Sequence, residues 1–151
     1  MKKFFILFVL SSLSLSCSKD DDLTTPSTDF AINPPEWLQG SWEFQEEDQS
    51  GMVIKIFTDD VKMFSFGGTV VHDILGNPRS AVSKDNHTAS VEETFPSDDE
   101  YTINVKIFDG NIQTQNMVYT FIRLESRTAE FTLNNYSVII KKIQPLQIIG
   151  S

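Results

Sequence analysis

A chain of 151 residues, 40% apolar and 11% aromatic, is long enough for one hydrophobic core and short for two, so one folded domain is expected. Its formal charge of -9 argues against nucleic acid and anionic lipid head groups as partners, because both require clustered Lys and Arg. The single cysteine, Cys17, excludes an internal disulfide and any cysteine-based metal site.

Met1-Lys2-Lys3 supplies a positive start, and Phe4 to Leu10 is an unbroken apolar run. That run has no polar face and is too short to span a bilayer as a mature helix, so residues 1–16 read as a secretory signal. Its removal takes away Lys2 and Lys3 and leaves the mature chain still more acidic. Ser14-Leu15-Ser16-Cys17 resembles a lipobox. The usual leucine three places before the cysteine is Ser14 here, with leucine one place later, while small Ser16 fits. The resemblance implies cleavage before Cys17, acylation there by palmitate-type chains, and a membrane partner reached through that lipid. Ser18-Lys19-Asp20-Asp21-Asp22 is similar to the acidic export signal of Bacteroidetes surface lipoproteins, which implies an outer-membrane protein displayed at the cell surface. Read from the residues alone, Lys19, Asp20, Asp21 and Asp22 form a solvated acidic linker. Leu23 to Asn33 continues as a polar spacer, which makes 17–33 a tether and 34–151 the folded domain.

Pro34-Pro35 ends the tether in extended form, since both prolines lack a backbone donor and restrict the residue before them. Trp37 and Leu38 can cap an apolar floor, Gly40 permits a turn, and Trp42 and Phe44 open a period-2 strand over Gly40–Glu46. Strands are expected at Met52–Thr58, Val61–Phe66 and Thr69–Ile74. A polar loop opened by Gly76-Asn77-Pro78 runs to about Asn86, followed by a strand over His87–Phe95 that Pro96-Ser97-Asp98-Asp99 ends. Tyr101, Ile103, Val105 and Ile107 alternate with polar residues, as a half-buried strand requires. Asp109-Gly110 is a hairpin signal of the type I′ kind and leads to a strand over Gln113–Leu124. Strands over Thr128–Leu133 and Tyr136–Ile143 follow, joined by Asn134-Asn135, with Pro145 as the stop. This is an all-β pattern: an antiparallel meander of about eight strands closing into a small barrel, with a β-sandwich as the alternative.

Gly40-Ser41-Trp42 resembles the Gly-x-Trp signature of lipocalins and of the short lipocalin-like domains of Bacteroidetes lipoproteins. From the residues alone it is equally the first strand of any β-domain. The resemblance implies that Trp42 lies buried at the closed end of a barrel, near Trp37, with a late arginine packed over it. Arg123 holds the matching position. The Thr-Asp-Tyr-like turn of the middle lipocalin motif is missing.

No catalytic constellation is found. His72 and His87 lack zinc-ligand spacing, no Gly-x-Ser-x-Gly elbow or phosphate loop occurs, and the acidic pairs lack the alternating calcium pattern. No metal and no cofactor is therefore expected. The sequence suggests a non-enzymatic, lipid-anchored binding protein holding a small apolar ligand in a shallow barrel. The alternative is a filled barrel that binds a protein or glycan through its loops, and a hydrolase with dispersed residues comes last. Gly76–Asn86 and Pro96–Glu100 are the most adjustable loops, and one of them is expected to border the site.

Overall fold

The structure, a computed structural model, describes residues 30–49 and 51–144. The expected signal, Cys17, the residues 19–22 and Pro145 lie outside the described residues. The elements are β1 (Gly40–Phe44), a 3-10 turn (Glu47–Gln49), β2 (Val53–Ile56), β3 (Val61–Phe64), β4 (Val70–Asp73) and α1 (Gly76–Val82). They continue with β5 (His87–Ser97), β6 (Glu100–Asp109), β7 (Ile112–Glu125), β8 (Thr128–Leu133) and β9 (Tyr136–Lys142).

The nine strands form one antiparallel sheet in the order β4-β3-β2-β1-β9-β8-β7-β6-β5, curled into a half-barrel. This is the all-β antiparallel architecture that the alternation predicts, with nine strands in place of about eight. The order is that of an up-and-down barrel with one seam left open. First and last strands pair, through Trp42 opposite Lys142 and Phe44 opposite Ile140. β4 and β5, adjacent in sequence, do not pair and form the two edges.

Alternation sets which side chains point in. On β6, Tyr101, Ile103, Val105 and Ile107 are buried while Thr102, Asn104 and Lys106 are half-exposed. Tyr119 and Phe121 of β7, Ala129 and Phe131 of β8, and Val138 and Ile140 of β9 join them on the concave face. Each fully buried aliphatic or aromatic side chain contributes about 1.5–3 kcal/mol of transfer free energy, so this face supplies the main drive to curl.

Three local expectations are corrected. The stretch from Gly76 to Asn86 is half helix: α1 buries Pro78 and Ala81 and packs against β5 and β6. The acidic loop at 96–100 is a tight turn, since β5 runs on to Ser97 and pairs with Glu100, leaving Asp98 and Asp99 as the turn. The β6–β7 turn sits one residue later than expected, with Asp109 opposite Ile112 and Gly110-Asn111 between them. Only Gly110 (φ +57°) of this pair has positive φ, which is the type II′ preference rather than I′.

The domain also begins earlier than Pro34. Ile32 is 4% exposed within the core, Phe30 packs against it, and the Asn33 N–H donates to Glu93 Oε2 at 2.8 Å. Segment 30–33 and α1 are tied together, because Arg79 Nη2 donates to the Phe30 carbonyl at 2.9 Å. These two pieces cover the core where the sheet does not close.

Candidate functional site

One end of the half-barrel is closed by the segment that carries Gly40-Ser41-Trp42. The Leu38 N–H donates to the Pro35 carbonyl at 2.9 Å, so the chain turns before β1, and Leu38 enters the core fully buried. Trp42 is also fully buried, and its Nε1–H donates to the Leu38 carbonyl at 2.6 Å. Gly40 adopts φ +122°, a region that favours glycine, and a Cβ there would meet Lys142 Cε at 3.1 Å. The Gly-x-Trp spacing thus has a local physical cause.

Two cations sit on this floor. Arg123 lies over Trp37, with its guanidinium carbon 5.2 Å from the ring centroid. It is fixed there by Asp99, which accepts from Arg123 Nε at 2.6 Å and also pairs with Nη2. The cation over Trp42 itself is Lys142, with Nζ 5.4 Å from the ring centroid and donating to the Trp37 carbonyl at 3.1 Å. Burial, reinforced by Arg127, pushes the Lys142 ammonium below its usual pKa. Arg123 therefore belongs to the floor by way of Trp37. Lys142 was legible in principle, because Val138, Ile140 and Lys142 share one face at period 2.

The interior behind this floor is filled. Trp42, Tyr101, Tyr119, Phe121 and Phe131 are each less than 2% exposed. Phe121 and Phe131 stand 5.0 Å apart between centroids, and Phe44 meets Phe131 edge-on at 6.0 Å. The two buried tyrosine hydroxyls have partners, whereas Asn104 Oδ1 is buried without one among the described residues. Tyr101 donates its hydroxyl to Glu93 Oε2 at 2.9 Å, and burial together with this bond pushes its pKa far up. The Tyr119 hydroxyl lies 2.5 Å from His72 Nε2, which links β4 to β7 across the half-barrel. His72 is thus a half-buried histidine on an edge strand, bonded to a core tyrosine, and His87 lies at the start of β5.

At the opposite end from the floor, α1 leans over the β5–β6–β7 strands and leaves a polar cleft of about 290 Å³. Its rim is Asn77, Ser80, Lys84, His87, Thr114 and Gln115, and Ala81 and Ile107 form the base. Half of this rim comes from the 76–86 stretch expected to border a site. The 96–100 turn is at the other end, bonded to Arg123, and takes no part. A second depression of about 330 Å³ lies on the convex face, where Val53, Phe64, Phe66 and Ile143 surround Ser41 and the Lys55 ammonium lies over Phe64 at 4.7 Å.

No cluster of three His, Cys, Asp or Glu side chains suited to a metal occurs among the described residues. Comparison with protein-family models, with curated proteins and with solved structures finds no match to this chain.

Proposed function

We propose that this is a lipid-anchored interaction protein of the bacterial envelope, with a filled half-barrel as a rigid scaffold and a binding surface at the α1 end that takes a protein or glycan. The observation that carries this reading is the packed concave face: five aromatic side chains occupy the volume in which an apolar ligand would lie. Protein interiors at ordinary packing density leave no room for such a guest. The anchor part of the reading rests on Cys17 and the segment before it. The non-enzymatic part rests on the sequence, in which no Gly-x-Ser-x-Gly elbow, zinc-ligand spacing or phosphate loop is found.

Titration of the mature chain, carrying Cys17→Ser so that it purifies without lipid, with an apolar fluorescent dye such as N-phenyl-1-naphthylamine tests the choice between interior and surface. A filled interior gives no saturable uptake. Saturable, one-to-one uptake that quenches tryptophan emission would restore the small apolar ligand in the barrel and overturn this reading.

A further inference from the structure

The polar cleft beside α1 carries no carboxylate on an acidic surface. Three other depressions include acids, such as Glu46 and Glu125 near Ile139 and Asp99 and Glu125 near Arg123; the depression beside Lys55 also has none, but of the two only this cleft is lined mainly by polar side chains. Lys84 forms no ion pair among the described residues, in contrast to Lys62, Lys106 and Arg123. The Thr114 hydroxyl donates to the Ile107 carbonyl at 3.1 Å, which leaves its lone pairs to accept. The His87 Nδ1 atom lies 3.0 Å from the Asp85 carbonyl oxygen, an acceptor only, so Nδ1 carries a proton and points towards that carbonyl. The carboxamides of Asn77 and Gln115 and the hydroxyl of Ser80 have no partner among the described residues.

Donors and acceptors therefore alternate around one small space with a single uncompensated positive charge and an apolar base. Ring hydroxyls, which each donate and accept, match such a mixed rim. The C–H face of a sugar ring matches Ala81 and Ile107. The volume, about 290 Å³, is at the small end of ligand sites and suits one sugar unit. We infer that the cleft beside α1 binds a carboxylated sugar unit, with Lys84 pairing its carboxylate and Asn77, Ser80, Thr114 and Gln115 bonding its hydroxyls. This rests on the reading of the α1 end as the binding surface and narrows its partner to an acidic glycan.

Amide resonances of the ¹⁵N-labelled mature chain, with Cys17→Ser, are followed during titration with glucuronate and, separately, with glucose. Saturable shifts at Asn77, Lys84, His87 and Gln115 with glucuronate, about tenfold weaker with glucose, are the expected result. A charge-assisted bond is worth about that factor. Lys84→Gln should remove the preference for glucuronate while leaving the remaining spectrum unchanged, and the pair Asn77→Ala with Gln115→Ala should weaken both sugars. Equal binding of the two sugars, or no response to either, would overturn the assignment. If Lys84→Gln still retains an acidic polysaccharide as the unaltered chain does, surface binding stands and the cleft is the wrong place for it.

Discussion

Trp42 shows how a single residue holds several parts of the fold at once. Its ring is fully buried, its Nε1–H satisfies the Leu38 carbonyl, and Lys142 covers one face. Trp42→Ala should lower stability by about 3–5 kcal/mol, read as a shift in the denaturant midpoint. Trp42→Phe keeps most of the packing but leaves a buried carbonyl without a donor, so its cost should be smaller, about 1–3 kcal/mol. If both variants unfold at the wild-type midpoint, Trp42 is not the floor of this core. His72 gives a second prediction, with the sign set by burial. Desolvation pushes its imidazole below the usual value of 6.5, and Asp73 opposes this more weakly. The unfolded chain then accepts a proton that the folded chain resists, so stability is full above the unfolded value and falls as pH drops below it. Between about pH 7 and about pH 5, above the range where carboxylates titrate, the thermal midpoint should fall more steeply for the unaltered chain than for His72→Gln. Glutamine can still bond Tyr119, so parallel curves would show that His72 carries no such coupling.

Among the elements, α1 carries the largest revision. It has seven residues, Gly76 to Val82, contains Gly and Pro, and lacks any apolar repeat at helical spacing. A helix that short is not stable alone and exists because Pro78 and Ala81 pack on the strands beneath. A reading by periodicity could not find it. As a free loop, Arg79 to Asp85 could be deleted without harm. As a covering element it cannot, because the deletion removes Ala81 from the core and the Arg79 bond to Phe30. The deletion should cost several kcal/mol and Ala81→Glu about as much through burial of a charge, whereas Asn77→Ala should stay within about 0.5 kcal/mol. Thermal melts of the three variants check this, and a deletion variant as stable as the unaltered chain would make α1 dispensable. The strands were legible where alternation was clean, as at Tyr101–Ile107, because a half-buried sheet imposes period 2 directly. The β6–β7 turn was found but misplaced by one residue: Asp-Gly reads as the centre of a I′ turn, whereas Gly110-Asn111, with glycine first, suits II′, and the sequence offers both registers. The cleft was legible on one side only. Its 76–86 half was visible as a polar stretch, but Thr114 and Gln115 lie on a distant strand that no local pattern connects to it.

At the scale of the whole molecule, the proposed function needs a means of holding an acidic half-barrel at a membrane. No helix among the described residues is long and apolar enough to cross a membrane, and a formal charge of -9 repels anionic head groups. If the chain is membrane-bound in the manner proposed, Cys17 must supply the attachment. One myristoyl-length chain, at about 0.8 kcal/mol per buried CH₂, gives only marginal and reversible binding, so stable attachment requires more than one. Ile32 and Asn33 are already fixed to the core and β5, so the stretch between Cys17 and the packed residues is shorter than composition suggested. Its twelve residues, from Ser18 to Asp29, reach at most about 40 Å when extended. A domain anchored at Cys17 as proposed would be held within that distance of the membrane. Cys17→Ser should move the protein from the membrane pellet to the soluble fraction without altering its thermal midpoint, since Cys17 lies in sequence well before the first core residue. Replacing Asp20, Asp21 and Asp22 by alanine should leave the protein in the pellet but protect it from protease added to whole cells, as the export reading requires. Pellet association that survives Cys17→Ser would reject the lipid anchor, and undiminished cleavage of the alanine variant would reduce the aspartates to a solvated linker.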